Sequence, residues 1–159
     1  MTEDNTAKKH IKKILSIWGT ADRICKEKTQ RVDELKKFCI EVDTIQNVND
    51  NDEKNYKFSN SHHIENSVIS TIDVYEKTIF CLKEDIQQIL SIKAMVDSWV
   101  SFLETEEKNI ITLRYKDGLS WDCIPKIINK SRMQCFRIHN NAIKKWSTEK
   151  DILQLHNNC

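Results

Sequence analysis

Arg137 carries paired N–H donors that fit the O6 and N7 acceptors of guanine, and Asn140 and Asn141 each carry the donor and acceptor that fit adenine. Met133 and Phe136 could meet a thymine methyl group. All five lie in KIINKSRMQCFRIHNNAIKKW, Lys126 to Trp146, where twenty-one residues hold six Lys or Arg and no Asp or Glu. A solvated helix usually interleaves both signs of charge, so a stretch this one-sided suits a surface laid against a polyanion. A partner-binding helix is the competing reading. Lys126, Lys130, Lys144 and Lys145 would be phosphate contacts, which set register and salt dependence but carry no base information.

Other chemistries find little support. Cys135 and His139 stand four apart and could offer two zinc ligands on one helix face, but no further ligands follow at suitable spacing. Cys25, Cys39, Cys81, Cys123, Cys135 and Cys159 are scattered without a C-x-x-C pair and read as reduced thiols. The adjacent His62 and His63 fall in a polar stretch. No phosphate-cradling glycine loop, metal motif or nucleophile signature appears, so the expectation is a protein that is not an enzyme and needs no cofactor.

The elements that must position the basic stretch are short. From Glu106 the chain divides at Asp117-Gly118 and at Asn129-Lys130. A first helix ends near Arg114-Tyr115, Gly118 supplies a left-handed stop, and Ser120 can cap a second helix running from Trp121 to Ile128. Asn129 suits the positive φ of a tight turn, and Ser131 caps a third helix from Arg132 to about Trp146. That helix buries Cys135, Ile138, Ala142 and Trp146 and turns Met133, Phe136, Arg137, Asn140 and Lys144 outward. A short helix, a tight turn and a longer basic helix make a helix-turn-helix.

The chain before residue 105 reads differently. Ile11, Ile14, Trp18, Ala21, Cys25, Val32, Leu35, Cys39 and Val42 recur at heptad spacing, with Lys28 as an exception. A second series runs Val68, Ile72, Tyr75, Ile79, Leu82, Ile86, Ile89, Val96, Val100 and Leu103, with Lys93 out of place. Two helices of on the order of 55 Å each, about residues 8–46 and 64–104, would pair as an antiparallel coiled-coil hairpin, joined by a polar linker at 47–63 with weak order. Lys28 and Lys93 would be costly in a wide dry bundle, which favours a thin two-helix pairing. The domains expected are therefore this hairpin over 1–104, a helix-turn-helix module over 105–147, and a tail over 148–159.

Bulk properties agree. Two glycines and one proline in 159 residues are too few for a sandwich or barrel, and the fold class expected is all-α. Residues 1–104 hold 15 basic and 18 acidic side chains, a net −3, and residues 105–159 hold 10 and 6, a net +4. No apolar run reaches the length of a membrane span or a signal-peptide core, so the expected location is cytoplasmic, without a membrane partner.

Residues Ile111 to Trp146 resemble the region-four helix-turn-helix of bacterial sigma factors: Leu113-Arg114-Tyr115, Gly118-Leu119-Ser120-Trp121, Ile124, Ser131, Arg137 and Ala142 stand where that motif expects them. The layout, two coiled helices ahead of such a module, is similar to a family of small phage and prophage proteins regarded as sigma-like transcriptional regulators. The resemblance implies that the third helix enters the major groove of double-stranded DNA. Ser131, Arg132, Met133, Phe136, Arg137, Asn140 and Asn141 would then lie toward the DNA, and with Lys130, Gln134 and Lys144 they form the expected DNA-facing set. The hairpin would dimerise the protein or touch RNA polymerase. Two features depart from the family: Pro125 replaces a small residue and Cys123 replaces a usual Glu. Pro125, fifth in a helix capped by Ser120, would make that helix kink or start late. A protein-interaction factor that inhibits or decoys a host protein, and a DNA-packaging protein, are the alternatives.

Overall fold

The computed structural model describes residues 2–49 and 61–148, with side chains described over 6–41 and 71–147. Among these residues all regular structure is helical: α1 (Thr2–Asn49), α2 (Ser61–Ser101), α3 (Thr105–Ile111) running on into a π-turn (Thr112–Lys116), α4 (Ile124–Ile128) and α5 (Arg132–Thr148). Most of the expected linker, and all of the expected tail beyond residue 148, lie outside the described residues. No described helix is long and apolar enough to cross a membrane.

Two compact units divide the chain, and both long helices contribute to each. One unit comprises Met1–Arg23 and Ile89–Cys159, the other Ile24–Gln88. The boundary expected at 104 to 105 thus falls inside the first unit.

In the first unit, the heptad residues Ile11, Ile14 and Trp18 of α1, together with Leu15, meet Val96, Trp99 and Val100 of α2 in a buried cluster. The same cluster includes Ile111 of α3 and Ala142, Ile143 and Trp146 of α5. Trp99 and Trp146 stack with centroids 4.2 Å apart. The Trp18 indole N–H donates to Asp97 Oδ1 at 2.7 Å, which satisfies the one polar atom of a residue otherwise removed from water. Lys93, out of place in the heptads, reaches the edge of the helix pair and binds Asp22 there. Asp97 opposite Trp18 and Lys93 opposite Asp22 make the pairing antiparallel. Gly19 permits a close approach: a Cβ there would sit 1.7 Å from the carbonyl oxygen of Tyr115 in the π-turn, a contact no other residue type could make.

A smaller cluster, Ile110, Ile124 and Cys135, packs with Leu113, Leu119, Trp121, Ile128 and Ile138 and joins α3, α4 and α5.

The second unit is thinner. Of its described side chains only Val32 and Leu35 are buried apolar residues. Lys28 resolves its exceptional heptad position with a 2.6 Å ion pair to Asp85, and Phe38 meets Tyr75 edge-on at 5.1 Å, again an antiparallel pairing.

Helix boundaries depart from expectation where a local rule wins. Helix α2 stops at Ser101 because Glu104 must adopt an extended conformation to begin α3, where its backbone N–H donates to the Glu107 carboxylate. Helix α4 begins at Ile124 instead of Trp121, with Pro125 in its first turn, where an absent N–H breaks no intrahelical bond. Residues 121–123 form a turn instead. The proline therefore shortens α4 and does not kink it.

Candidate nucleic-acid interface

Helix α5 is held by its start, its buried face and one ion pair. At the start, Ser131 Oγ accepts from the Gln134 backbone N–H at 3.2 Å, while Gln134 Oε1 accepts from the Ser131 backbone N–H at 2.9 Å. This reciprocal box occupies both side chains, so Ser131 and Gln134 define where the helix begins and how it enters. Gln134 in this capping role was legible as an S-x-x-Q spacing and was missed. Before the box, Asn129 takes the left-handed conformation, φ 53°, and Lys130 N–H donates to Pro125 C=O at 3.1 Å, closing the turn between α4 and α5. Gly118 makes the other left-handed turn, φ 66°, after the π-turn, and Leu119 N–H donates to Leu113 C=O across it at 3.0 Å.

The buried face of α5 consists of Cys135, His139, Ala142, Ile143 and Trp146. Ile138 is half-buried in the smaller cluster. His139, a zinc candidate from its spacing, has both ring nitrogens engaged: Nε2 lies 3.1 Å from the Tyr115 hydroxyl and Nδ1 lies 3.3 Å from Asn140 Oδ1. The ring also meets Trp121 edge-on at 5.0 Å. Burial lowers the His139 pKa to about 4, so the ring is neutral at pH 7, and burial raises the Tyr115 hydroxyl to about 12. Among the described residues, no group of three or more His, Cys, Asp or Glu is placed to hold a metal ion. The five described cysteines, Cys25, Cys39, Cys81, Cys123 and Cys135, are free thiols.

Several of the expected DNA-facing residues are committed elsewhere. Phe136 is half-buried, with its ring stacked on Trp121 at 4.3 Å, and so belongs to the packing of α5 on the turn before α4. Arg114 braces the same indole, 5.3 Å from its centroid, while donating to the Leu119 carbonyl at 2.7 Å. Three of the six cations have acids supplied from outside their own stretch. Lys130 pairs with Glu106 at 2.8 Å, Arg132 with Asp122 at 3.1 Å, and Lys145 with Glu107 at 2.8 Å and Glu104 at 3.1 Å. Glu107 is buried, and its hydrogen bond with that of Glu104 raises the Lys145 pKa. Lys145 is thus a strut between α3 and α5. The count of acids within the stretch overstated its free positive charge, because charges are neutralised in space and not along the chain.

What remains outward is a narrower stripe. Met133, Arg137, Asn140, Asn141 and Lys144 are all exposed, Met133 at 78%. Arg137, Lys144 and the exposed Lys126 of α4 form no ion pair with any described residue. Met133, Arg137, Asn140 and Lys144 follow one another at helical intervals of four, three and four, so they share one face of α5. That face can offer a guanidinium, an amide, an ammonium and an apolar thioether to a groove.

Neither the curated proteins nor the solved structures contain a match to the chain. A family model does match, described as protein of unknown function (DUF722), over residues 34–148. That range takes in more than half of the 159 residues, including the rest of α1 beyond residue 33 and every element through α5, and the chain belongs to the DUF722 family.

Proposed function

We propose that this protein is a DNA-binding transcriptional regulator of phage or prophage type, acting by recruitment or positioning and making no bonds. In this reading α4, the Asn129 turn and α5 form a helix-turn-helix with α5 in the major groove, and α1 with α2 forms a helical hairpin that dimerises or touches RNA polymerase.

The observation that carries the reading is the outward stripe of α5. A methionine at 78% exposure beside Arg137, Asn140, Asn141 and Lys144 has no role in packing the helix, and these are the side chains that reach base edges and phosphates. The capped start of α5 adds donors and a favourable dipole near the phosphate backbone. Lys130, Arg132 and Lys145 contribute less than their number suggests, since each already has an acid. In the second unit, the exposed apolar side chains Ile40, Val74 and Phe80 support a protein-contacting role for the hairpin.

Sheared DNA from the source genome, incubated with the protein and recovered with it, tests the proposal. One or a few discrete sites should be retained. On such a site Arg137→Ala should cost about 1–3 kcal/mol, whereas Lys144→Ala should weaken all sequences alike and lower the salt slope by about 1. Equal small losses at both would remove the base-reading assignment. No retention at low salt by folded protein would turn the stripe into a protein-docking surface.

A further inference from the structure

We infer that Tyr115 and His139 form a relay that fixes which way round the Asn140 side-chain amide faces, so that Asn140 reads a base that offers acceptors and Asn141 alone is left to read adenine. This rests on the DNA-binding reading above and specifies two residues within it.

The direction of the relay follows from what each atom can do. With the Asn140 amide oxygen facing the ring, the matching arrangement puts the proton on His139 Nδ1, because that oxygen can only accept. A neutral imidazole has one donor and one acceptor, which leaves Nε2 as the acceptor and obliges the Tyr115 hydroxyl to donate to it. The hydroxyl is protonated and the ring is uncharged at neutral pH, as burial of both requires. The buried ring is further held edge-on by Trp121, which restricts its rotation.

The consequence appears at the surface. Adenine recognition by an Asn needs both its oxygen and its nitrogen turned to the base, the oxygen accepting from N6 and the nitrogen donating to N7. The Asn140 oxygen is turned back to the buried ring, which leaves its two N–H donors outward. Those donors match guanine, whose N7 and O6 both accept, or thymine through O4. Asn141, exposed and hydrogen-bonded to no described side chain, keeps both atoms for an adenine. His139 thereby acts as a positioning residue from inside the core, and Tyr115 sets its tautomer from the π-turn.

Two measurements test this together. The first is nitrogen-15 NMR of the His139 ring in the free wild-type protein, where the Nδ1–H tautomer is expected. The second is selection of binding sites from random duplex DNA by the wild type and by Asn140→Ala, Asn141→Ala and Tyr115→Phe. Asn141→Ala should relax a position that prefers adenine. Asn140→Ala and Tyr115→Phe should both relax one shared position that prefers guanine or thymine, each by about fivefold, the scale of one hydrogen bond. Tyr115→Phe keeps the ring and removes only the hydroxyl, and its spectrum should show the Nε2–H tautomer gaining population. An Nε2–H wild-type ring, or loss of an adenine preference in Asn140→Ala, overturns the relay while leaving DNA binding intact. If folded wild-type protein enriches no sequence, the DNA reading itself has failed and the assignment of Asn140 and Asn141 falls with it, whichever tautomer is seen.

Discussion

The two compact units carry the same heptad repeat on the same two helices, yet they bury very different amounts of it. In the first, Ile11, Ile14, Leu15, Trp18, Val96, Trp99 and Val100 are all nearly removed from water, because α3 and α5 add a further layer over the helix pair. In the second, Val32 and Leu35 are the buried apolar residues among the described side chains, and Phe38, Ile40, Val74 and Phe80 remain exposed. A heptad pattern therefore specifies which faces meet and leaves open how dry the seam becomes. Dryness needs a third element. The composition follows the same division, since all four tryptophans, Trp18, Trp99, Trp121 and Trp146, belong to the first unit, and their fluorescence reports on that unit alone.

Substitutions should break this contrast in a definite order. Trp146→Ala removes the largest fully buried side chain and its stacking partner for Trp99, and should cost about 3–5 kcal/mol in urea unfolding followed by tryptophan fluorescence. A loss under 1 kcal/mol would mean that the layered core is not the stabilising part. Gly19→Ala comes next, at about 3 kcal/mol, because its methyl would collide with backbone at Tyr115 and the π-turn would have to withdraw. Retained stability with shifted tryptophan emission would point to repacking at low cost.

Acid should act at a similar scale, again on the first unit. His139 has a folded-state pKa of about 4 against an ordinary 6.5, so between these values the unfolded chain binds the proton and the folded one does not. Stability is fully present above pH 6.5 and is lost as the pH falls toward 4, by about 3 kcal/mol if burial acts in full. The urea midpoint should fall over that window, and His139→Gln should flatten the fall; an equally steep slope in the variant would assign it to other groups. The smallest effect is expected in the second unit. Leu35→Ala should cost about 2 kcal/mol, near the lower limit for buried leucine, since a two-helix seam can close around the gap. Hydrogen exchange should quicken over residues 24–41 and 71–88 and leave α3 to α5 unchanged.

Much of this architecture could be read from residue types. The all-helical class, the left-handed positions Asn129 and Gly118 and the cap at Ser131 each follow from a local rule that the described residues obey. The misreadings share a different character. Pro125 moved the start of α4 because a proline placed in the first turn costs less than one inside the helix. Phe136 was assigned outward by helical spacing, but the indole of Trp121 lies against it, supplied by a turn that spacing cannot place. Lys130, Arg132 and Lys145 looked unneutralised because Glu106, Asp122, Glu104 and Glu107 are distant along the chain. Gly19 sat unremarked within α1, since nothing local distinguishes a glycine that admits a neighbouring backbone from one that is merely tolerated. The π-turn at Thr112–Lys116, which places the Tyr115 hydroxyl by His139, likewise has no sequence signature of its own.

The shared cluster of the first unit has a consequence for how such a chain can vary. Ile111, Ala142, Ile143 and Trp146 find their cover on Ile11, Ile14, Leu15 and Trp18, more than ninety residues earlier. Residues 105–148 are therefore not an exchangeable cassette. Grafted onto another coiled stem, or produced by themselves, they would bare an indole and three aliphatic side chains to water. Recombination that replaces residues 105–148 must carry residues 11–18 with it, so these two segments are expected to vary together.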